Sequence, residues 1–416
     1  MSQISTVTVI GLGYIGLPTA AILATNGVRV HGMDVSEHTV DAVSRGEVPF
    51  VEPDLSGFVA AAVKSGALTA SQDVVAADAY ILAVPTPFNA DMSPDLSYVK
   101  AAAEQVAPAL REGDLVILES TSPPKTTEKV GEWIAAARPD LVTADGTLDV
   151  LLAHCPERVL PGKIMTELVT NDRIVGGVTA AAAERAKELY ATFCDGEILL
   201  TDATTAEMAK LVENSFRDVN IAFANELSLI ADELDINVWE LIELANHHPR
   251  VNILQPGPGV GGHCIAVDPW FIVDAVPALS RIIRTAREVN DSKPAWVIDK
   301  VSKAVEGNPE PIIAVLGLAF KPDIDDLRES PALKITEKLA DSFVSGRILA
   351  VEPHVDVLPA SLGNRENVEL APLAAAVAAA DAVVLLVDHR QFKAADVGAL
   401  GIADKAVIDT KGIWTA

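Results

Sequence analysis

The sequence predicts two doubly wound α/β domains joined by a helical region that contains one long helix. Short β-branched and apolar runs alternate with helical patterns through the N-terminal half, an order typical of a parallel sheet covered on both faces. A stretch of over 30 residues without proline or glycine begins at Thr204. The alternation starts again after the GNPEP linker at 307–311. We therefore expect domains at 1–203, 204–306 and 307–416.

In the first domain, strands are predicted by the runs VTVIGLG, VRVHGMD, AYILAVP, DLVILES and VLLAHCP, and helices by the patterns at 17–25 and 97–110. The long run predicts one helix of roughly 50 Å, at about 1.5 Å per residue, which forms a spine between domains or a dimer face. Thr204 and Glu207 have the spacing of a capping box at its start. A second helical pattern covers 277–305, and the last domain has the strand patterns PIIAVLGLAF, GRILAVEP, DAVVLLVD and KAVIDTK.

The composition excludes several classes of protein. A formal net charge of −26 argues against a nucleic-acid partner, because the phosphate backbone is itself negative. The longest apolar stretch, at 374–387, is interrupted by Asp381, so we expect no membrane span. The first residues lack signal-peptide features. Three cysteines, Cys155, Cys194 and Cys264, fit free thiols in a cytoplasmic protein rather than disulfides or a zinc site, and we expect no metal.

The first predicted strand leads into a G-x-G-x-x-G turn, VTVIGLGYIG. Gly11 allows the tight turn, Gly13 lets the backbone approach a pyrophosphate, and Gly16 lets the next helix pack on the strand. Asp34 ends the next strand 18 residues after Gly16, as expected of a carboxylate that binds ribose hydroxyls and repels a 2′-phosphate. The pattern predicts an NAD site in a Rossmann-like domain, with FAD as the alternative.

Two further loops follow predicted strands, at the edge where doubly wound folds bind ligands. They are VPTP at 84–87 and ESTSPP at 119–124. We expect Thr86, Ser120 and Thr121 to lie on the nicotinamide side, although each sequence taken alone is also typical of an ordinary turn.

A cysteine lies at the centre of the sequence GPGVGGHCIAVDP. Glycine adopts backbone conformations that other residues resist, so this loop can pass close to a ligand and hold Cys264 in contact with it. On the long helix, Lys210 and Asn214 are four residues apart and share a face, near which Asp218 and Asn225 continue. Lysine and asparagine can both donate hydrogen bonds to an oxyanion, and a nearby cation favours the thiolate form of a cysteine.

An NAD site together with a reactive thiol predicts oxidation past an aldehyde to an acid. An aldehyde carbon must become tetrahedral before it can lose a second hydride, and a Cys264 thiolate can add to it as a thiohemiacetal. The thioester that results needs water, for which Asp268 and Glu157 are candidate bases. A two-electron β-hydroxyacid dehydrogenase, which uses a helix lysine and asparagine but no cysteine, is an alternative, as is a non-catalytic NAD or nucleotide-sugar sensor.

In this order, the motifs resemble the UDP-glucose/GDP-mannose dehydrogenase family over essentially the full length. The matching sequences are GLGYIG, VPTP, ESTSPP, PERVLPG, EMAKLVENSFRDVNIAFANE, GPGVGGHC with Asp268, and FKPDIDDLRESP. The resemblance implies that Cys264 is the catalytic nucleophile and that Lys210, Asn214, Asp268 and Glu157 assist it.

The resemblance also implies the binding residues and the oligomer. The residues expected to bind NAD are Gly11, Gly13, Tyr14, Ile15, Gly16, Asp34, Pro85, Thr86, Thr121 and Arg328. Those expected to bind substrate are Arg158, Val159, Lys210, Asn214, Arg217, Arg250, Asn252, Gly261, Phe320 and Lys321. Family members are homodimers or larger and are built on the central helices. Arg250 is the candidate for an arginine that contacts the sugar in the neighbouring subunit.

The PERVLPG sequence differs from that of many UDP-glucose members, which carry an aromatic residue after PE and a later glutamate. Arg158 and Pro161 stand at those positions here and are similar to those of enzymes for 2-acetamido sugars. This resemblance implies a UDP-N-acetyl-hexosamine substrate. The resemblance of the run ANHHPRVNILQPGPGVGGHCIAVDPWFI implies UDP-N-acetyl-D-mannosamine in particular, oxidised at C6 for a surface polysaccharide. UDP-glucose and UDP-N-acetylglucosamine are the alternative substrates.

Overall fold

The computed structural model describes residues 4–89, 91–160, 162–262 and 264–414. Pro161 of the PERVLPG sequence and His263, beside the central cysteine, therefore lie outside the described residues. The chain divides into two compact units, one of Met1–Glu213 with Trp270–Pro277 and one of Asn214–Pro269 with Ala278–Ala416. Within the described ranges, no helix is both long and apolar enough to cross a bilayer.

One sheet organises the first unit. Its strands are β1 (Thr6–Ile10), β2 (Arg29–Met33), β3 (Leu68–Ser71), β4 (Ala79–Leu82), β5 (Leu115–Leu118), β6 (Leu151–His154), β7 (Arg173–Gly177) and β8 (Ile198–Asp202). They lie in the order β3-β2-β1-β4-β5-β6-β7-β8, and only the β6–β7 pair is antiparallel. Strands β4 and β5 are buried along their whole length, which explains their continuous apolar sequences.

Helices cover both faces of this sheet, as the doubly wound prediction requires. They are α1 (Gly16–Thr25), α2 (Glu37–Ser44), α3 (Leu55–Lys64), α4 (Ser97–Val106), α5 (Thr126–Ala137), α6 (Ile164–Thr170) and α7 (Ala180–Tyr190), with 3-10 turns at Ala107–Ala109 and Pro139–Leu141. Successive residues of β1 point to opposite faces, so Val9 joins the core that contains α1, whereas Ile10 joins the core that contains α4 and α5. The predicted fold class is confirmed.

Three strands of this sheet were not predicted. Strand β3 has only one buried residue in four, and β8 exposes Leu199 and Leu200 to 44% and 37%. Strand β7 begins with an arginine and ends with two glycines. None of these patterns is distinctive locally, because partners across the sheet rather than intrinsic preference select such strands.

The predicted long helix is confirmed as α8 (Ala203–Glu233), but the capping box at its start is wrong. The carboxylate of Asp202 accepts the Thr205 N–H at 2.9 Å and its hydroxyl at 2.6 Å. Glu207 is fully buried and accepts the Thr127 N–H at 2.7 Å, at the start of α5. The glutamate therefore satisfies the first amides of a different helix, a partnership that sequence spacing does not reveal.

The chain beyond α8 contains further helices and a second sheet. The helices are α9 (Val238–Asn246), α10 (Asp268–Ala275), α11 (Arg281–Ala304), α12 (Pro331–Ser342), α13 (Ala360–Gly363), α14 (Leu373–Ala379), α15 (Arg390–Lys393) and α16 (Val397–Leu400). The strands are β9 (Ile312–Leu316), β10 (Arg347–Val351), β11 (Val368–Leu370), β12 (Ala382–Leu385) and β13 (Ala406–Asp409). Their order is β11-β10-β9-β12-β13, all parallel. Only the short β11 was not predicted.

Candidate active site

The three positions of the first turn hold glycine for different structural reasons. Gly11 has φ +94°, and a Cβ there would lie 2.5 Å from the carbonyl oxygen of Ala83. Gly16 follows the N-cap residue Ile15, and a Cβ on it would lie 1.9 Å from the Gly11 carbonyl oxygen. Gly13 is exposed, and no described atom lies within 4 Å of a Cβ placed on it. Two glycines are thus required by the chain itself, and the third leaves open space where a ligand can approach.

The groups around that space fit NAD. The first turn of α1 has no acidic residue and no side-chain cap among the described residues, so no side chain there competes with a pyrophosphate for the positive end of the helix. Asp34, directly after β2, accepts the Leu12 N–H at 2.8 Å and the Ser36 N–H at 2.9 Å. These bonds fix a carboxylate beside the turn, where it can accept ribose hydroxyls. Tyr14 is 41% exposed and stacks on Phe50 at 4.2 Å.

The loops after β4 and β5 are tied to each other. The Thr86 hydroxyl donates to the Thr121 carbonyl at 2.6 Å, and the Ser120 hydroxyl donates to the Val84 carbonyl at 2.6 Å. The ring of Pro85 remains exposed at this edge. Because these hydroxyls bond to backbone, they hold the two loops in one arrangement next to the glycine turn.

A buried polar cluster lies under these loops. Glu157 and Arg173 form an ion pair at 3.0 Å, with 6% and 4% of their side chains exposed. The Arg173 guanidinium lies over the ring of Tyr190, whose hydroxyl donates to Glu119 at 3.1 Å, and Thr19 donates to the other oxygen of Glu119 at 3.2 Å. Burial, with the nearby Glu157 charge, raises the pKa of Glu119 to about 8. The available sequence signal was an acidic residue directly after the apolar strand LVIL.

The side chains of the PERV segment are engaged with the first unit. The Arg158 N–H donates to Glu157 at 2.7 Å. The Arg158 guanidinium binds Glu213 at 2.6 Å and the Asp172 carbonyl at 2.7 Å, while Val159 packs against the core on the α1 face. The segment expected to bind substrate is therefore held firmly by its own side chains.

Three of the predicted catalytic residues are neighbours in the structure. Cys264 is exposed, and its carbonyl accepts the Val267 N–H at 3.1 Å and the Asp268 N–H at 2.9 Å in the turn that starts α10. The Asn214 side-chain amide donates to the buried carboxylate of Asp268 at 2.5 Å. Lys210 is half-buried one helical turn before Asn214 on α8.

Asp218 and Asn225, which continue the polar pattern of α8, hold structural elements together. Asp218 pairs with Arg287 of α11 at 2.6 Å, and both side chains are at most 2% exposed. Asn225 donates to Asn290 at 2.8 Å and accepts the Gly257 N–H at 2.8 Å. One face of α8 thus anchors both α11 and the start of the cysteine loop.

The glycines of that loop pack against the FKPDIDDLRESP segment. A Cβ on Gly261 would lie 2.5 Å from the Glu329 carbonyl oxygen, and one on Gly262 would lie 3.3 Å from the Phe320 ring. Gly259 has φ +144°, and its Cβ would lie 3.1 Å from Pro331. Close contact at Gly261 and positive φ at Gly259 and Gly262 account for these glycines within the protein, and their contact with a ligand stays a prediction.

The remaining predicted binding residues lie at the surface of the second unit. Arg217, Arg250 and Asn252 are exposed. The Lys321 ammonium lies 5.6 Å from the Phe320 ring centre. Arg328 makes a two-pronged pair with Asp326, at 2.9 and 2.7 Å.

Comparison with known proteins identifies the family. Models of the UDP-glucose/GDP-mannose dehydrogenase family match residues 5–194 as the NAD binding domain, 204–292 as the central domain and 314–416 as the UDP binding domain. The chain belongs to this family. It is an NAD-dependent UDP-sugar dehydrogenase, which confirms the predicted cofactor and reaction class.

Individual relatives of this UDP-sugar dehydrogenase cover nearly the whole chain. It is 56% identical to the NDP-N-acetyl-D-galactosaminuronic acid dehydrogenase of Ralstonia nicotianae, over 99% of this chain and 96% of the relative. It is also 56% identical to the UDP-N-acetyl-D-mannosamine dehydrogenase of Escherichia coli, over 99% of both chains. Among solved structures, a UDP-D-ManNAc dehydrogenase from Pyrococcus horikoshii is 40% identical with a TM-score of 0.86, covering 98% of this chain and 96% of that one.

Proposed function

We propose that this chain oxidises the C6 hydroxyl of UDP-N-acetyl-D-mannosamine to the carboxylate, giving UDP-N-acetyl-D-mannosaminuronate for a surface polysaccharide. The observation that carries the chemistry is the exposed Cys264 next to the Asn214–Asp268 hydrogen bond. The substrate assignment is supported by the Escherichia coli relative and by the PERVLPG sequence. NAD, when bound at the glycine turn, accepts a hydride in each of two oxidations.

The residues of the chain supply the steps between the two oxidations. The Cys264 thiolate adds to the C6 aldehyde, and the resulting oxyanion accepts hydrogen bonds from Lys210 and Asn214. After the second oxidation, the C6 carbon is a thioester on Cys264. Water adds to it and the thiolate leaves, which yields the acid and restores the enzyme.

We assign the activation of this water to Asp268 rather than to Glu157. Asp268 lies on the same turn as Cys264, and its hydrogen bond from Asn214 orients the carboxylate. Glu157 is bound by Arg173, so we propose that it positions the PERV segment. The assignment predicts that Asp268→Asn accumulates the thioester, whereas Glu157→Gln chiefly raises KM.

The first experiment counts NADH formed per sugar consumed for UDP-N-acetyl-D-mannosamine, UDP-N-acetylgalactosamine, UDP-N-acetylglucosamine, UDP-glucose and GDP-mannose. We expect two NADH for the first sugar and slow turnover of the others. UDP-N-acetylgalactosamine is the second candidate substrate because the Ralstonia relative is equally similar. Two NADH on another sugar would reject the substrate and keep the reaction, whereas one NADH would reject the role of Cys264.

A covalent intermediate provides a separate test of the mechanism. A serine at position 264 can add to the aldehyde, but the ester that results is hydrolysed more slowly than a thioester. We therefore expect Cys264→Ser to stop after one turnover, with a mass increase equal to the sugar acid attached at that position. Unchanged steady-state turnover of this variant would exclude the thioester.

We also propose a cytoplasmic homodimer in which α8 forms part of the interface. Phe216, Phe223 and Ile230 recur every seven residues on this helix and are 71%, 51% and 49% exposed. Covering such a row of large apolar side chains favours association. Phe223→Glu should shift the molecular mass in solution toward that of a monomer. Val344→Glu is the control and should leave the mass unchanged, because Val344 is 75% exposed but does not lie on α8.

A further inference from the structure

Three potential metal ligands converge at the carboxyl edge of the second sheet. Asp323 follows β9, His354 follows β10 and His389 follows β12, and these three strands are neighbours in the sheet. Carboxyl ends of parallel strands meet at one edge, where doubly wound folds bind ligands. The three residues are 31 and 35 positions apart in the chain, so no sequence motif marks them.

The ligand atoms are close to the spacing that a metal ion requires. One potential ligand atom from each of Asp323, His354 and His389 lies within 4.8 Å of the other two. Asp323 Oδ1 is 3.8 Å from His354 Nε2 and 4.0 Å from His389 Nδ1. Two ligands of a tetrahedral zinc ion are about 3.4 Å apart, given bonds of about 2.1 Å. Both imidazoles would therefore move about half an ångström closer to Asp323, and ligand atoms as far as 4.8 Å apart would approach by up to about 1.4 Å.

A second carboxylate fixes the tautomer of one imidazole. Buried Glu352 accepts the N–H groups of Leu318 at 2.7 Å and Ala319 at 3.1 Å, and the same oxygen lies 3.2 Å from His389 Nε2. Because a carboxylate can only accept a hydrogen bond, the hydrogen of the His389 imidazole is on Nε2 and the lone pair is on Nδ1. A carboxylate behind a histidine is the usual outer partner of a metal-binding imidazole.

The other imidazole has an unsatisfied nitrogen. His354 Nε2 is buried and has no hydrogen-bond partner among the described residues. Leaving such a group unpaired costs free energy, which a ligand on this nitrogen would recover. Asp323 Oδ2 accepts the Arg390 Nε–H at 2.8 Å. Asp323 Oδ1 accepts the Arg390 backbone N–H at 3.0 Å and is the oxygen that lies 3.8 and 4.0 Å from the two imidazoles.

We propose that Asp323, His354 and His389 bind a divalent transition-metal ion of the zinc class. Two imidazoles and one carboxylate suit such an ion and leave a position for water. His389 Nδ1 now accepts the Asp323 N–H at 3.0 Å, and the metal displaces this bond. The ion ties the loop that carries Lys321 and Arg328 to the ends of β10 and β12. This inference does not depend on the proposed substrate and departs from the sequence-based expectation of no metal.

The test is a titration of chelator-treated Cys264→Ser protein with Zn²⁺ and Co²⁺, monitored by calorimetry and by absorption. The background variant removes the exposed thiol as a competing ligand. We expect one ion per chain, a Co²⁺ spectrum without a thiolate charge-transfer band, and a rise in melting temperature with metal. His354→Ala and Asp323→Asn should abolish binding, and Glu352→Gln should weaken it about ten- to a hundredfold.

His248→Ala supplies the matched control, because His248 is exposed in a different loop. Binding should be unchanged in this variant, and all variants should melt like the parent without metal if they are folded. Glu352→Gln keeps the site testable if a ligand variant is unstable. The proposal is overturned by the absence of saturable binding, by binding that survives His354→Ala and Asp323→Asn together, or by stabilisation that depends on pH but not on metal.

Discussion

Glu119 should make the stability of the first unit depend on pH in an unusual direction. Its carboxyl is fully buried, and burial together with the charge of Glu157 raises its pKa from 4.5 to about 8. The folded protein therefore retains a proton that the unfolded chain releases above about pH 4.5. Stability contributed by this group is present below that pH and is lost as the pH rises through 8.

The size of the effect follows from the two pKa values. At 1.36 kcal/mol per pH unit, the interval from 4.5 to about 8 corresponds to roughly 5 kcal/mol. Glu119→Gln keeps the shape and neutrality of the protonated acid. Its amide can make the same number of hydrogen bonds with Thr19 and Tyr190. The variant should therefore match the parent below about pH 4.5, exceed its stability by roughly 2 kcal/mol at about pH 6, and exceed it by roughly 5 kcal/mol at about pH 9.

Scanning calorimetry of the parent and of Glu119→Gln at several pH values measures this difference. The melting temperature of the first unit should be raised by roughly 10 °C at the alkaline end. Glu132→Gln, at an exposed position of α5, is the control and should follow the parent at every pH. Parallel curves for Glu119→Gln and the parent would refute the reasoning. A variant that is less stable at every pH would mean that Glu119 is ionised and compensates Arg173.

Three further predictions concern packing and binding. Gly13→Ala should weaken NAD binding without changing the melting temperature, whereas Gly16→Ala should weaken NAD binding and also lower the melting temperature. Only the methyl group at position 16 would collide with backbone, and NAD titration together with thermal melting distinguishes the two variants. Asp218→Ala should destabilise the second unit by about 1–3 kcal/mol, since Arg287 and Asn290 lose a buried partner while Arg287 keeps its pair with Asp291, as measured by urea unfolding against Asp218→Asn. Glu207→Ala should leave the first amides of α5 buried without an acceptor, which lowers the free energy of unfolding by about 1–3 kcal/mol per unsatisfied group. Hydrogen exchange should detect this as faster amide exchange at the start of α5.

Local patterns predicted much of this protein. Apolar runs located five strands of the first sheet and four of the second, and the absence of proline and glycine located α8. The glycine turn and the position of Asp34 predicted NAD, because phosphate and ribose are bound by local backbone and by the end of the next strand. Resemblance of the motifs then supplied the family.

The sequence predicted the partners of polar side chains less well. The spacing of Thr204 and Glu207 suggested a capping box, yet Glu207 binds α5. The PE motif suggested a base, and the structure pairs Glu157 with Arg173 from a strand that was not predicted. A charged side chain takes whichever buried partner the fold supplies, and spacing along the chain does not encode that choice.

The sequence by itself determined most of the strand and helix order and the cofactor turn, since these depend on residues close together in the chain. Only the tertiary structure decided that Asn214 bonds to Asp268, that the cysteine loop packs on residues 320–331 and that Asp323, His354 and His389 meet. Each of these contacts joins distant segments whose closeness depends on the packing of whole helices and sheets. Local preference fixes the elements, whereas burial and polar satisfaction across the fold select the contacts between them.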